Sequence, residues 1–256
     1  MNIMKFLNEE PCLIIRRKLI ISDIHLGIES RFYKDGIRMP SQTKFIAEKL
    51  RRLVQDNSLS EIISIGDLKH EVPGTSFQEQ REVPEFIDSV SKFAKIRLLS
   101  GNHDGDIERL TGNKVGIGKE IKTGSYYLTH GHMWPDKKFL ECKVIIIGHE
   151  HPQIEFRDAL GYRFTEQVWV RARFSWQKIS KQYRLKKKST LPELVIMPAF
   201  NRFSGGISLN RKYEKTRRED GTIGLGPLAR SADMKNADIY LLDGTHIGKL
   251  KDIKSF

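Results

Sequence analysis

The sequence predicts an α/β chain with a largely parallel central sheet fed by crossover helices, and later antiparallel strands that complete a second sheet. Three observations carry this. Five short aliphatic runs recur before residue 151. One-faced helices separate the first three of them. After His151 the apolar spacing switches to alternation.

The five runs are residues 19–21, 62–65, 96–99, 126–128 and 144–147, each short and rich in Ile, Val, Leu or Tyr, so each reads as a buried strand. Between the first two, residues 42–55 place Ile46, Leu50, Leu53 and Val54 on one helical face. Between the second and third, residues 84–94 carry an apolar stripe of Phe86, Ile87, Val90 and Phe93. Pro84 then falls in the first helical turn, where a missing N–H costs nothing. Strand–helix–strand–helix–strand implies parallel crossover units.

Beyond His151, Val168, Val170, Ala172 and Phe174 alternate with polar or exposed partners, which puts Trp169 on the wet face. Residues 239–242 and 247–250 flank Asp243-Gly244 as a hairpin. The polar stretch 211–226 reads as a mobile loop. The expectation is a single domain over residues 1–256, in which 1–151 carries the chemistry and 152–256 forms a basic, mostly antiparallel half.

A chain of 256 residues can bury a sizeable core without staples. Its two cysteines, Cys12 and Cys142, form no CxxC pattern, which excludes a disulfide framework and a zinc ribbon; both read as core thiols. The N-terminus does not read as a signal peptide and no apolar run is long enough to cross a bilayer, so a soluble, cytoplasmic protein without membrane contact is expected.

Lys and Arg number 44 against 32 acids, a net charge of +12 that points to a polyanionic partner, nucleic acid among them. The excess is uneven: residues 1–151 carry 23 basic and 21 acidic residues, and 152–256 carry 21 and 11. Residues 157–188 hold ten basic side chains interleaved with Tyr162, Phe164, Trp169, Phe174, Trp176 and Tyr183, a composition suited to tracking phosphates and stacking on bases. Lys186, Lys187 and Lys188 are the densest run and the candidate substrate-binding cations. A solvated strand face is the competing reading.

Histidine is distributed the other way, with seven of eight between His25 and His151. Each aliphatic run ends in ligand-type residues: Asp23 and His25; Asp67, Lys69 and His70; Asn102, His103 and Asp104; His130 and His132; His149 and His151. Ligands of open α/β sheets bind outside the carboxyl ends of the strands, so the five clusters are expected at one edge. Carboxylate, imidazole and amide donors without thiolate suit Mn²⁺, Fe²⁺, Zn²⁺ or Ni²⁺. The donors are too many for one ion, and two ions about 3.5–4 Å apart sharing a carboxylate would use them. Taken singly, Lys69 and Arg31 read as exposed charge, Asp104 as a local cap, His246 as a solvated residue after a turn, and His132 as a substrate-side or supporting histidine.

The ordered set D-x-H, G-D, G-N-H-D, H and G-H-x-H over residues 23–151 resembles the calcineurin-like metallophosphoesterase superfamily. The GDLKH around Asp67, the HGHMWP around His130 and the PAFNRFSGG at 198–206 resemble its archaeal SbcD-related and bacterial ligase-associated group. The resemblance implies a four-layer fold, a two-sheet β-sandwich flanked by helices. It implies Asp23, His25, Asp67 and His151 as ligands of one ion, and Asp67, Asn102, His130 and His149 as ligands of a second, with Asp67 bridging. His103 takes the general-acid position, and His70 stands where many relatives have the Asp that orients that acid. Asn102 also stands where it can meet phosphoryl oxygens.

The implied function is a two-metal phosphoester hydrolase with Mn²⁺ the expected activator, most simply a phosphodiesterase of nucleic acid or nucleotide diesters. A metal-bridging hydroxide would attack phosphorus, and His103 would protonate the leaving alkoxide. A phosphatase of small phosphomonoesters and a non-enzymatic scaffold are the alternatives. Protein partners are not legible.

Overall fold

The computed structural model describes residues 4–211 and 225–254. The first sheet holds β1 (Met4–Phe6), β2 (Leu13–Ile15), β3 (Lys18–Ser22), β4 (Glu61–Ile65), β5 (Lys95–Leu99) and β6 (Gly116–Gly118), in that spatial order. β1–β3 form an antiparallel meander, and β3–β6 are parallel. Its crossovers carry α1 (Glu29–Lys34), α2 (Thr43–Asp56), α3 (Phe77–Ser91) and α4 (Ile107–Thr111).

The second sheet is built from β7 (Glu120–Thr123), β8 (Tyr126–Thr129), β9 (Val144–Ile147), β10 (Pro152–Arg157), β11 (Arg163–Arg173), β12 (Glu193–Ile196) and β13 (Ile207–Ser208), in the order β13-β10-β11-β12-β9-β8-β7. The hairpin β14 (Asp238–Leu241) and β15 (His246–Lys249) adds to it through β11. Helices α5 (Trp176–Tyr183) and α6 (Pro227–Ser231) belong to this half.

Three apolar layers hold the arrangement together. Leu19, Ile21, Ile62 and Leu98 pack under Ile46 and Leu50 of α2 and Phe86 and Val90 of α3. Ile20, Ile63, Ile65 and Leu99 face Leu128, Ile146, Trp169 and Val195 between the sheets. Ile145, Ile147, Val170 and Ile196 pack against Ile179 of α5 and Leu228 of α6. The result is a two-sheet sandwich flanked by helices, as expected. The central strands are buried on both faces, which is why they read as continuous aliphatic runs.

Four expectations are corrected. The five aliphatic runs do not share one sheet: three lie in the first and two in the second. Helix α3 starts seven residues before Pro84, because Ser76 and Glu79 form a reciprocal capping box there. Pro84 removes a single N–H in mid-helix, while Val83, Phe86, Ile87 and Val90 are buried on the face that holds the helix in place. Trp169 is not on a wet face. It is 3% exposed between the sheets, edge-on to Phe6 at 4.7 Å, because β11 is covered on both sides. Lys69 is 1% exposed, its ammonium donating to the Glu71 and Gly74 carbonyls at 2.6 and 2.7 Å. The hairpin forms as read, Cys12 and Cys142 are buried, and His246 is exposed on Asp238. Of the expected loop at 211–226, residues 212–224 lie outside the described residues. No described helix is long and apolar enough to cross a membrane.

Candidate metal centre

The carboxyl ends of β3, β4 and β5 in one sheet and of β8 and β9 in the other meet at one edge of the sandwich. Backbone bonds stitch the loops together: Asp23 N–H to the Gly66 carbonyl at 3.2 Å, His25 N–H to Asp67 at 2.9 Å, and Gly148 N–H to His130 at 3.0 Å. The His149 N–H donates across the sheets to the Asp23 carboxylate at 3.1 Å.

The backbone is strained where the loops turn. Ten described non-glycine residues have positive φ, and five of them are Asp23, His25, Asp67, His149 and His151. Left-handed backbone is unfavourable for such residues and persists where the surroundings over-determine it, which clusters it at functional sites. Gly66 has φ +80° and leaves room for the His130 ring, while a side chain at Gly101 would collide with the Asp67 carboxylate.

Asp23, His25 and His151 form one group of potential ligand atoms lying within 4.8 Å of each other, and Asp67, His130 and His149 form another. Asp67 joins them: its Oδ2 is 3.3 Å from His130 Nε2 and 3.8 Å from His25 Nε2. Asn102 Oδ1 lies 3.2 Å from His130 Nε2, in the second group. A third group, His25, His70 and His103, adjoins the first. His70 Nδ1 is 3.3 Å from His25 Nδ1, and the His70 and His103 rings stack at 5.7 Å. His103 Nδ1 hydrogen-bonds to the His70 carbonyl, and its N–H donates to Asp67 Oδ1 at 2.9 Å. His132 lies against the His130 and His149 rings, with a buried Nδ1 that has no partner among the described residues.

The electrostatics follow from burial. Asp23 and Asp67 are buried, and among the described residues no lysine or arginine forms an ion pair with either. Burial raises Asp67, but the hydrogen bond and charge of His130, with the charge of His25 and the His103 N–H, more than offset it and hold the carboxyl below its usual range. Burial likewise lowers His130, but the Asp67 hydrogen bond and the charges of Asp67 and Asp23 lift it to about 9. His151 is raised against burial by Asp23. Burial, then the charge of His151, depresses His25 to about 3; burial, then His130, depresses His149 and His132 to about 4. His70 is depressed by burial, then by His103 and Arg31.

This donor set fits divalent cations. Among the described residues the two buried carboxylates have no lysine or arginine partner, and imidazoles surround them. His130 Nδ1 lies 3.0 Å from the Ile65 carbonyl; an Nδ1–H donated there leaves Nε2 as the free ligand atom.

Asp23, His25, Asp67, His70, Asn102, His103, His130, His132, His149 and His151 are thus brought together. Lys186, Lys187 and Lys188 are not. They are exposed in the loop leading into the amino end of β12, and among the described residues they make no bond to the cluster. Arg31 is exposed, as read. Asp104 does more than cap locally: its carboxylate accepts Leu68 N–H and Gly101 N–H, both at 2.8 Å, and so joins the GDLKH and GNHD turns.

Three supporting residues escaped sequence reading. Glu79 is fully buried and accepts the His70 and Glu71 N–H groups at 2.7 and 2.6 Å; its signal was Ser76-x-x-Glu79 before an apolar run. Asn201 donates to the Ile24 carbonyl, between Asp23 and His25, at 2.9 Å. Glu150 accepts Gly226 N–H at 2.9 Å, and burial pushes its carboxyl up to about 7. Asn201 stands within PAFNRFSGG and Glu150 within G-H-x-H, but neither motif by itself assigns those side chains a partner.

Fold and site together define a metal-dependent phosphoesterase. The profile of the calcineurin-like phosphoesterase family matches residues 16–172, and the chain belongs to that family. Among solved structures, the nuclease MPE of Pseudomonas putida superposes with a TM-score of 0.54 at 18% identity, over 93% of this chain and 91% of that one. A novel archaeal phosphodiesterase (TM-score 0.31, 18% identity, 55% and 76% covered) and Yfce, a phosphoesterase from E. coli (0.34, 16%, 56% and 74%), are more distant. At 18% identity the likeness to the nuclease MPE bears on the fold alone. No curated protein matches the chain.

Proposed function

We propose that the chain is a single-domain, two-metal phosphodiesterase acting on nucleic acid or nucleotide diesters, related to the SbcD-like and ligase-associated branch and working in the cytoplasm with Mn²⁺. The observation that carries the two-metal reading is Asp67 Oδ2, which is 3.3 Å from His130 Nε2 and 3.8 Å from His25 Nε2 and so within reach of both ligand groups.

Asp23, His25, Asp67 and His151 would hold one ion, and Asp67, Asn102, His130 and His149 the other. When bound, such ions supply Lewis acidity toward the phosphoryl oxygens and lower the pKa of water. His103 carries the proton for the leaving oxygen at Nε2, because its Nδ1 is committed to the His70 carbonyl. His70 restrains that ring by stacking on it. The buried Asp104 carboxylate keeps the GNHD turn against the GDLKH turn. What supports a nucleic-acid or nucleotide diester over a small monoester is the net charge of +12, which suits a polyanionic substrate.

The test is a panel on Mn²⁺-reconstituted protein: bis(p-nitrophenyl) phosphate, p-nitrophenyl phosphate, and single- and double-stranded DNA and RNA. Faster turnover of the diester is expected. Preference for the monoester would replace this reading with a small-ester phosphatase, and inertness toward every ester would leave a scaffold.

A further inference from the structure

Two of the motifs singled out in the sequence, HGHMWP and PAFNRFSGG, contain more than the site uses. Each sets an aromatic ring at the surface within a few residues of a side chain of the site. Trp134 follows His130 and His132 in the loop after β8 and is 36% exposed. Its ring is braced edge-on by Tyr183 at 5.9 Å, and the Tyr183 hydroxyl donates to the neighbouring Pro135 carbonyl at 2.8 Å. Phe203 is 44% exposed in the turn after Asn201. Asn201 Oδ1 accepts the Phe203 N–H at 3.0 Å, while its amide donates between Asp23 and His25, and the Phe32 ring lies edge-on at 6.5 Å.

Trp134 thus stands four residues after His130 in the loop that leaves β8, and Phe203 two residues after the Asn201 that holds the Ile24 carbonyl between Asp23 and His25. Both rings are held by neighbours and open to solvent on part of their surface. Exposed cations accompany them: Arg31 next to Phe32 in the chain, Arg202 next to Phe203 and 3.9 Å from Glu166, and Lys119 between β6 and β7, whose carbonyl accepts the Thr129 hydroxyl next to His130. By contrast, Trp169 and Phe174 of the basic stretch 157–188 are buried and unavailable.

We propose that Trp134 and Phe203 are base-stacking platforms on either side of the phosphoester site, and that the polymer they accept is single-stranded nucleic acid. The inference rests on the phosphodiesterase reading and adds the substrate's form and its contacts. Aromatic faces stack on unpaired bases of any sequence, whereas paired bases present no free face. Arg31, Arg202 and Lys119 supply charge that a strand would need and an apolar protein partner would not.

The test measures anisotropy of fluorescein-labelled dT15 and of a 15-base-pair duplex in EDTA, where no cleavage competes. Trp134→Ala and Phe203→Ala are each expected to weaken dT15 binding about tenfold, within the range that losing one stacked base costs. Trp134→Phe, which keeps a ring, should stay within about threefold of wild type. Phe45→Ala, at an exposed aromatic residue on α2, serves as the control and should bind as wild type. Unchanged dT15 affinity in both alanine variants, an equal loss with the duplex, or the same loss in Phe45→Ala would overturn the inference. Hydrolysis assays separate the two layers. If Mn²⁺-loaded wild type cleaves neither bis(p-nitrophenyl) phosphate nor dT15, the phosphodiesterase reading falls. If it cleaves the small diester while ring removal leaves dT15 binding untouched, only the stacking proposal falls.

Discussion

Replacing Glu79 by Gln changes one atom and should destabilise the protein far beyond a surface substitution. The carboxylate is fully buried and accepts four donors: His70 and Glu71 N–H on Oε1 at 2.7 and 2.6 Å, and Ser76 N–H and Oγ–H on Oε2 at 2.6 and 2.9 Å. An amide keeps one acceptor oxygen and aims two N–H groups at the other pair of donors. If the amide nitrogen faces Ser76, the hydroxyl can turn to accept but the Ser76 N–H is orphaned and the cap weakened. If it faces His70, two backbone donors are orphaned. A buried unsatisfied donor costs about 1–3 kcal/mol and a lost cap about 1 kcal/mol, so the expected loss is about 2–4 kcal/mol. Urea unfolding should show a lower midpoint with an unchanged m-value. A second readout follows from connectivity. Glu79 holds the His70 backbone, whose carbonyl holds His103 Nδ1, so kcat on an alkoxide ester should fall more than metal content. A stability loss below about 1 kcal/mol, with normal kcat, would refute the view that this carboxylate anchors the loop.

Three further outcomes are expected. Asp67→Ala should abolish tight binding at both metal sites, whereas Asp23→Ala should weaken mainly one, as read by elemental analysis and titration calorimetry; a single site indifferent to Asp67 would remove its bridging role. His103→Ala should retain metal yet lose about 10²–10⁴-fold on a diester with a poor alkoxide leaving group and much less on a nitrophenolate, and equal losses would count against proton donation by His103. For metal-free protein, His130 is lifted from 6.5 to about 9, so its contribution to stability is present below pH 6.5 and lost as pH rises through about 9. Thermal melts in EDTA at pH 6 and 9.5 should show a fall that His130→Gln lacks, and Mn²⁺ binding at pH 7 should release protons, seen as a dependence of calorimetric heat on buffer ionisation.

The order of chemistry along the chain was legible without coordinates. Asp23, His25, Asp67, His70, Asn102, His103, His130, His132, His149 and His151 each follow a short aliphatic run, and a residue just past a strand stays at that strand's carboxyl end in any α/β packing. Strand positions and helix α2 were legible for a similar reason: periodicity reports which faces are buried. It does not report what buries them. Strands 144–147 and 62–65 read alike, yet they lie in different sheets, because an aliphatic run covered on both faces has the same pattern in either layer. Trp169 looked solvated because alternation assumes one wet face, and only the packing of β11 against the first sheet closes it. Lys186, Lys187 and Lys188 looked like partners of the site because charge density is visible in sequence while distance is not. Lys69 and Glu79 show the same limit from the other side. Whether a charge is buried depends on carbonyls or N–H groups delivered by a turn nearby, and those donors and acceptors exist only once the tertiary structure has placed them.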